Sequence, residues 1–99
     1  MADKKIVWST RASLELKQIL EFYYQRNGST TYSLRILNEV DYLLNTLSKN
    51  EFLGRLTSNK YTRVIPVKDY LIFYDVNQDI IEIVSFWDNR KGNKKRTKI

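Results

Sequence analysis

The stretch from Tyr61 to Arg90, YTRVIPVKDYLIFYDVNQDIIEIVSFWDNR, constrains the fold more than any other part of the chain. Val, Ile, Phe and Tyr dominate it, and their branched or aromatic side chains suit a pleated, half-buried surface. Turn-forming residues divide it into three runs, with Lys68-Asp69 after the first and Asn77-Gln78-Asp79 after the second, so it predicts an antiparallel three-stranded meander. Strict alternation puts Ile81, Ile83, Ser85 and Trp87 on one side of the last strand and Ile80, Glu82, Val84, Phe86 and Asp88 on the other. In the middle strand Leu71, Phe73 and Asp75 oppose Ile72, Tyr74 and Val76, which leaves both sides apolar. A half-solvated sheet divides more cleanly, so the second side calls for cover by loops or by a partner segment. Pro66 cannot donate to a ladder and predicts an edge, bulge or strand-end position. The third run ends in Phe86-Trp87-Asp88-Asn89-Arg90, where apolar and polar character meet and a pocket or partner surface is expected.

The earlier residues supply what such a sheet needs to cover it. Lys4 to Trp8 reads as a first strand, and Ser9 or Thr10 can cap the helix that follows. From Arg11 to about Gln25, Ala12, Leu16, Ile19, Leu20 and Tyr23 recur at intervals of three and four and form one apolar stripe. Leu14 and Phe22 widen that buried surface, while Glu15, Lys17, Gln18, Glu21 and Arg26 face water. Asn27-Gly28 ends this helix, and Ser29 or Thr30 starts a second one marked by Ile36, Leu37, Val40, Leu43, Leu44 and Leu47. So short a loop packs the two helices as an antiparallel hairpin. Between Asn50 and Lys60 the rhythm fails and a surface loop is predicted, pinned down by Phe52, Leu53 and Leu56. The fold class is therefore α+β: an N-terminal strand and an antiparallel helical hairpin packed on a twisted antiparallel sheet that ends in the meander.

With 99 residues the chain has room for one core, expected over residues 1 to 90 with a basic tail at 91 to 99. Cysteine and histidine are both absent, so disulfides, thiol chemistry, a Ser-His or Cys-His nucleophile and the commonest metal ligands are excluded. Neither a metal nor another cofactor is expected. The three glycines form no phosphate-binding loop. The opening MADKKIVW fits neither a signal peptide nor a spanning helix, which makes the cytoplasm the expected location and excludes a membrane partner. The net charge of +6 is uneven: Met1 to Asp88 holds 11 basic and 11 acidic side chains, and Arg90, Lys91, Lys94, Lys95, Arg96 and Lys98 supply the excess. A second basic cluster, Lys49, Arg55, Lys60, Arg63 and Lys68, lies inside the folded part.

Cations and aromatic rings are what remains for function. Arg55, Lys60, Arg63 and Arg90, with Tyr61, Tyr70, Tyr74 and Trp87, can hold a phosphate backbone while rings stack on bases. They can also stabilise charge on a phosphate during cleavage. Equally, Arg63 and Arg90 can pair with Asp75, Glu82 or Asp88 and Trp87 can cap the core.

The order of these pieces resembles the RelE/ParE superfamily of toxins from bacterial type II toxin-antitoxin systems. The matching parts are KIVWSTRASLELKQILEFYY, the second helix with its leading Ser-Thr, Leu53-Gly54-Arg55, YTRVIPVKDYLIFYDV and IIEIVSFWDNR, which together cover residues 4 to 90. The resemblance implies a helical hairpin on a twisted antiparallel sheet. RelE-like members are ribosome-dependent mRNA endoribonucleases that use Lys, Arg and Tyr on the sheet, including an Arg after the aromatic that opens the middle hairpin strand. Here that position is Leu71, and no Tyr follows Arg90. DYLIFY is similar to ParE-like members, which inhibit DNA gyrase without an active site of their own. The resemblance thus implies growth inhibition by gyrase poisoning, with Arg55, Lys60, Arg63, Trp87 and Arg90 as target-binding residues. The alternative is an endoribonuclease on the ribosome and its mRNA, with Lys60, Arg63 and Arg90 catalytic. A third reading is a non-toxic nucleic-acid-binding module. Either toxin branch implies a cognate antitoxin, bound through Leu16, Tyr23, Tyr70, Phe73 and Tyr74, and allows a homodimer or a heterotetramer with the antitoxin.

Overall fold

The computed structural model describes residues 3–89. Its elements run β1 (Lys5–Trp8), α1 (Thr10–Asn27), α2 (Thr31–Lys49), β2 (Arg55–Leu56), β3 (Thr62–Val67), β4 (Tyr70–Val76) and β5 (Ile80–Asp88). Local chemistry sets the boundaries. Ser9 caps α1 by accepting a hydrogen bond from the Ala12 amide at 3.0 Å, and Gly28 ends it in the left-handed region at φ 69, where a Cβ would be strained. The two-residue turn at Lys68-Asp69 joins β3 to β4, pairing Val67 with Tyr70. Pro66 sits where β3 has already outrun the two residues of β2, so its missing N–H breaks no bond.

The five strands lie in the order β1-β5-β4-β3-β2. The sheet is mixed, not wholly antiparallel: β1 pairs with β5 in parallel, Lys5 opposite Ile80 through Trp8 opposite Ile83. A tight hairpin would force antiparallel pairing, whereas the two helices carry the chain from β1 to β2 at the opposite edge of the sheet, and β3 and β4 then bring β5 back beside β1. The hairpin covers one face. Ala12, Ile36, Val40, Leu44 and Leu47 from the helices meet Ile65, Val67, Tyr70, Ile72, Tyr74, Ile81, Ile83 and Phe86 from the sheet, all of them buried.

Phe86 joins Ile81 and Ile83 on that face because of a bulge. Phe73 pairs with Ser85 but Tyr74 pairs with Ile83, so Val84 is skipped and the alternation of β5 shifts by one residue. Strict alternation therefore misplaces Phe86 relative to Ile81 and Ile83. Three further expectations are overturned. Leu14 and Phe22 lie in solvent, 52% and 45% exposed, because they fall on the sides of α1 turned away from the sheet. Phe52, Leu53 and Leu56 are exposed too and do not pin their loop. Glu15 does not face water; it is half-buried against β5. Beyond the end of β1 the edge of β5 is open, and Glu15 closes it by accepting from the Phe86 amide at 2.9 Å and the Ser85 hydroxyl at 2.8 Å. Glu15→Ala leaves that amide without its acceptor and is expected to lower stability by about 1–2 kcal/mol. Glu15→Gln retains a side-chain carbonyl and should cost clearly less in the same denaturation experiment; equal losses would contradict the role.

Candidate functional site

The face of the sheet away from the helices is built from cross-strand rows. Register places Pro66, Leu71 and Trp87 in the first, Arg55, Val64, Phe73 and Ser85 in the second, and Thr62, Asp75 and Glu82 in the third. The face therefore passes from apolar at the end where β3 turns into β4 to acidic at the other. Phe73 is buried although it is on this open side, because Trp87 lies against it with ring centroids 4.9 Å apart. Beside these rings a cleft of about 220 Å³ is lined by Trp87, Phe73, Val84, Ser85, Thr57 to Asn59, Thr62 and Arg11. Its loop wall is preformed, since Asn59 Oδ1 accepts from the amides of Tyr61 and Thr62, both at 2.8 Å. In the acidic row Asp75 stands directly opposite Glu82, and its Oδ1 is buried with no hydrogen-bond partner among the described residues.

The candidate cations do not converge on this face. Arg63 pairs with Tyr74 and so points to the helix side. There its guanidinium donates to the Gly54 carbonyl at 2.6 Å and lies 4.9 Å from the centre of the Phe52 ring. Arg55, opposite Val64, is on the other face and exposed. Lys60 is exposed in the loop, held at φ 63 while its amide donates to Thr57. Arg90 lies outside the described residues, as does the expected tail at 91 to 99. Among the described residues no group of three or more potential ligands is placed to hold a metal ion.

Tyr74, named from the sequence as a partner contact, instead organises the loop before β2. Its hydroxyl accepts from the Gly54 amide at 2.8 Å and donates to the Glu51 carbonyl at 3.0 Å. Burial pushes the phenol above its usual pKa, against the opposing influence of the Gly54 amide and Arg63. Tyr70 lies in the core, stacked on Phe86 at 5.4 Å. Tyr70 and Tyr74 are 1% and 0% exposed, so neither presents a surface to a partner in this conformation, and Phe73, 3% exposed, is reached only from within the cleft beside Trp87. Tyr23 packs against Tyr32 at 4.6 Å, and Leu16 is half-buried at the core margin. Sequence reasoning missed Glu15, although its spacing of three from Ala12 and four from Ile19 places it on the flank of the buried stripe.

The geometry can be set against known proteins. A family model described as the ParE toxin of the type II toxin-antitoxin system parDE matches residues 6–92. No curated protein matches the chain in sequence. Among solved structures, the chromosomal ParDE system from P. aeruginosa is similar with a TM-score of 0.73 and 17% identity, covering 86% of this chain and 95% of that one. The YoeB dimer from Staphylococcus aureus gives 0.61 and 20%, covering 87% and 97%. The E. coli DinJ-YafQ toxin-antitoxin complex gives 0.57 and 16%, covering 89% and 94%. At such identities these structures speak for the fold, a helical hairpin on one face of a five-stranded mixed sheet, while the family model spans nearly the whole chain. The chain belongs to the ParE toxin family, within the RelE/ParE superfamily of type II toxin-antitoxin systems.

Proposed function

We propose that this toxin acts in the ParE-like manner, by binding and poisoning DNA gyrase, with no catalytic centre of its own. The observation that carries the reading is the composition of the open face. Where a phosphate-cleaving surface requires fixed, converging cations, this one presents Leu71 beside Trp87 and Asp75 opposite Glu82, with Arg55 exposed at the short edge strand β2. Carboxylates repel a phosphate backbone, and Leu replaces neither the charge nor the bidentate geometry of Arg. Arg63, the residue that favoured nuclease chemistry, is held by the Gly54 carbonyl on the other side of the sheet.

A cognate antitoxin neutralises the protein in this reading. Apolar side chains that the helical hairpin leaves in solvent offer it a surface: Leu14, Phe22 and Tyr24 on α1, and Leu34, Leu37 and Tyr42 on α2. A flexible antitoxin segment that folds on these side chains removes them from water. Induction in cells lacking the antitoxin, with DNA and protein synthesis followed separately, tests the target. DNA synthesis should stop first. Protein synthesis failing first supports the ribosomal alternative, and unimpeded growth removes both toxin readings.

A further inference from the structure

The open face of the sheet has an apolar cleft and, beside it, an acidic row in which one buried carboxylate oxygen has no hydrogen-bond partner among the described residues. The cleft has an aromatic wall in Trp87 and Phe73, a floor at Val84 and Ser85 and a rim of Thr57, Asn59 and Thr62. Asp75 lies two residues beyond Phe73 on the same face of β4, about 7 Å along the strand. Its Oδ1 is buried without a partner among the described residues, and Glu82 stands directly across from it. Like charges in directly opposed positions destabilise a sheet, and a buried carboxylate oxygen without a donor is costly, so a cationic donor placed here would relieve both.

We propose that this face is a protein-docking surface that takes a large apolar side chain of a partner into the cleft beside Trp87 and an adjacent arginine or lysine onto Asp75 and Glu82. The occupant is an extended protein segment in which an apolar anchor and a basic residue are neighbours. Arg11, at the far side of the cleft, is drawn towards Glu15 at 3.3 Å, which lessens its pull on an anion. A nucleic-acid strand is disfavoured because its phosphates would meet the two carboxylates. The site is physically separate from the exposed apolar side chains of the helical hairpin, and it does not depend on gyrase being the target.

The test is a titration of the full isotopically labelled protein followed by amide and indole NMR signals. The probes are acetyl-Phe-Arg-amide, acetyl-Phe-Glu-amide and a uridine trinucleotide. The arginine peptide should produce saturable shifts of the Trp87 indole N–H and of the Thr62, Phe73 and Ser85 amides. The glutamate peptide should bind roughly fivefold more weakly, the size of a surface charge contact. In the doubly substituted Asp75→Asn, Glu82→Gln protein that preference should vanish, while the unchanged dispersion of the spectrum reports an intact fold. Equal binding of the two peptides, tighter binding of the trinucleotide at these signals, or no saturable shifts with the arginine peptide would each overturn the proposal.

Discussion

Replacing Gly54 by alanine is expected to destabilise the protein by about 3 kcal/mol, at the upper end of overpacking costs. A Cβ built on Gly54 falls 2.8 Å from the Tyr74 hydroxyl and 2.9 Å from the Val64 carbonyl oxygen. The first neighbour is the end of a side chain, but that side chain is locked in the core and bonded to Gly54 and Glu51. The second is backbone in the middle of β3. Neither can withdraw without breaking a hydrogen bond or a strand pairing, so the loop itself must lift away, and Arg63 then loses its carbonyl acceptor. For a domain of this size the thermal midpoint should fall by roughly 15 °C. A variant that melts within a degree or two of the parent would show that the loop is not held as described.

Tyr74→Phe should cost about 2 kcal/mol, because the ring is kept while the Gly54 amide and the Glu51 carbonyl lose their partner. The same substitution should change the response to alkali. Burial raises the Tyr74 pKa, so the native state keeps this proton at a pH where the unfolded chain, with an ordinary tyrosine near pKa 10, gives it up. The unfolded state then binds fewer protons than the native one, and stability falls as pH rises. The contribution of Tyr74 is complete below about pH 10 and is lost as pH climbs from there through the raised native value. The difference between the parent and Tyr74→Phe in chemical denaturation should therefore narrow above pH 10. A constant difference across that range would contradict the assignment of the hydroxyl as a buried, neutral donor.

Features that depend on one or two adjacent residues were legible in the sequence. Ser9 as a cap, Gly28 as a left-handed terminator, Lys68-Asp69 as a hairpin turn and Pro66 at an open edge follow from backbone preferences of the residues themselves. The helical stripes were legible too, since both helices bury one face against the same sheet. What alternation does not reveal is a bulge. The skipped Val84 is an ordinary β-branched residue in a run of them, yet it moves Phe86 to the covered face and leaves Ser85 and Trp87 on the open one. The side of the sheet on which a cation falls depends on pairing register, so the sequence did not separate Arg55 from Arg63. Phe52, Leu53 and Leu56 illustrate a further limit, because apolar residues in a loop resemble anchors when the anchoring is done by Tyr74, twenty residues away from Gly54. Leu53-Gly54-Arg55, a motif that drew attention by resemblance alone, acquires a physical reason from the crowding at Gly54.

The central claim is that a member of the ParE toxin family with this open face acts on gyrase and not on ribosome-bound mRNA. The most direct measurement places the purified protein in a gyrase supercoiling assay and, at the same concentrations, with programmed ribosomes. The account predicts inhibited supercoiling or trapped cleaved DNA, with the mRNA uncut. Codon-positioned mRNA cuts alongside unaffected gyrase would contradict it.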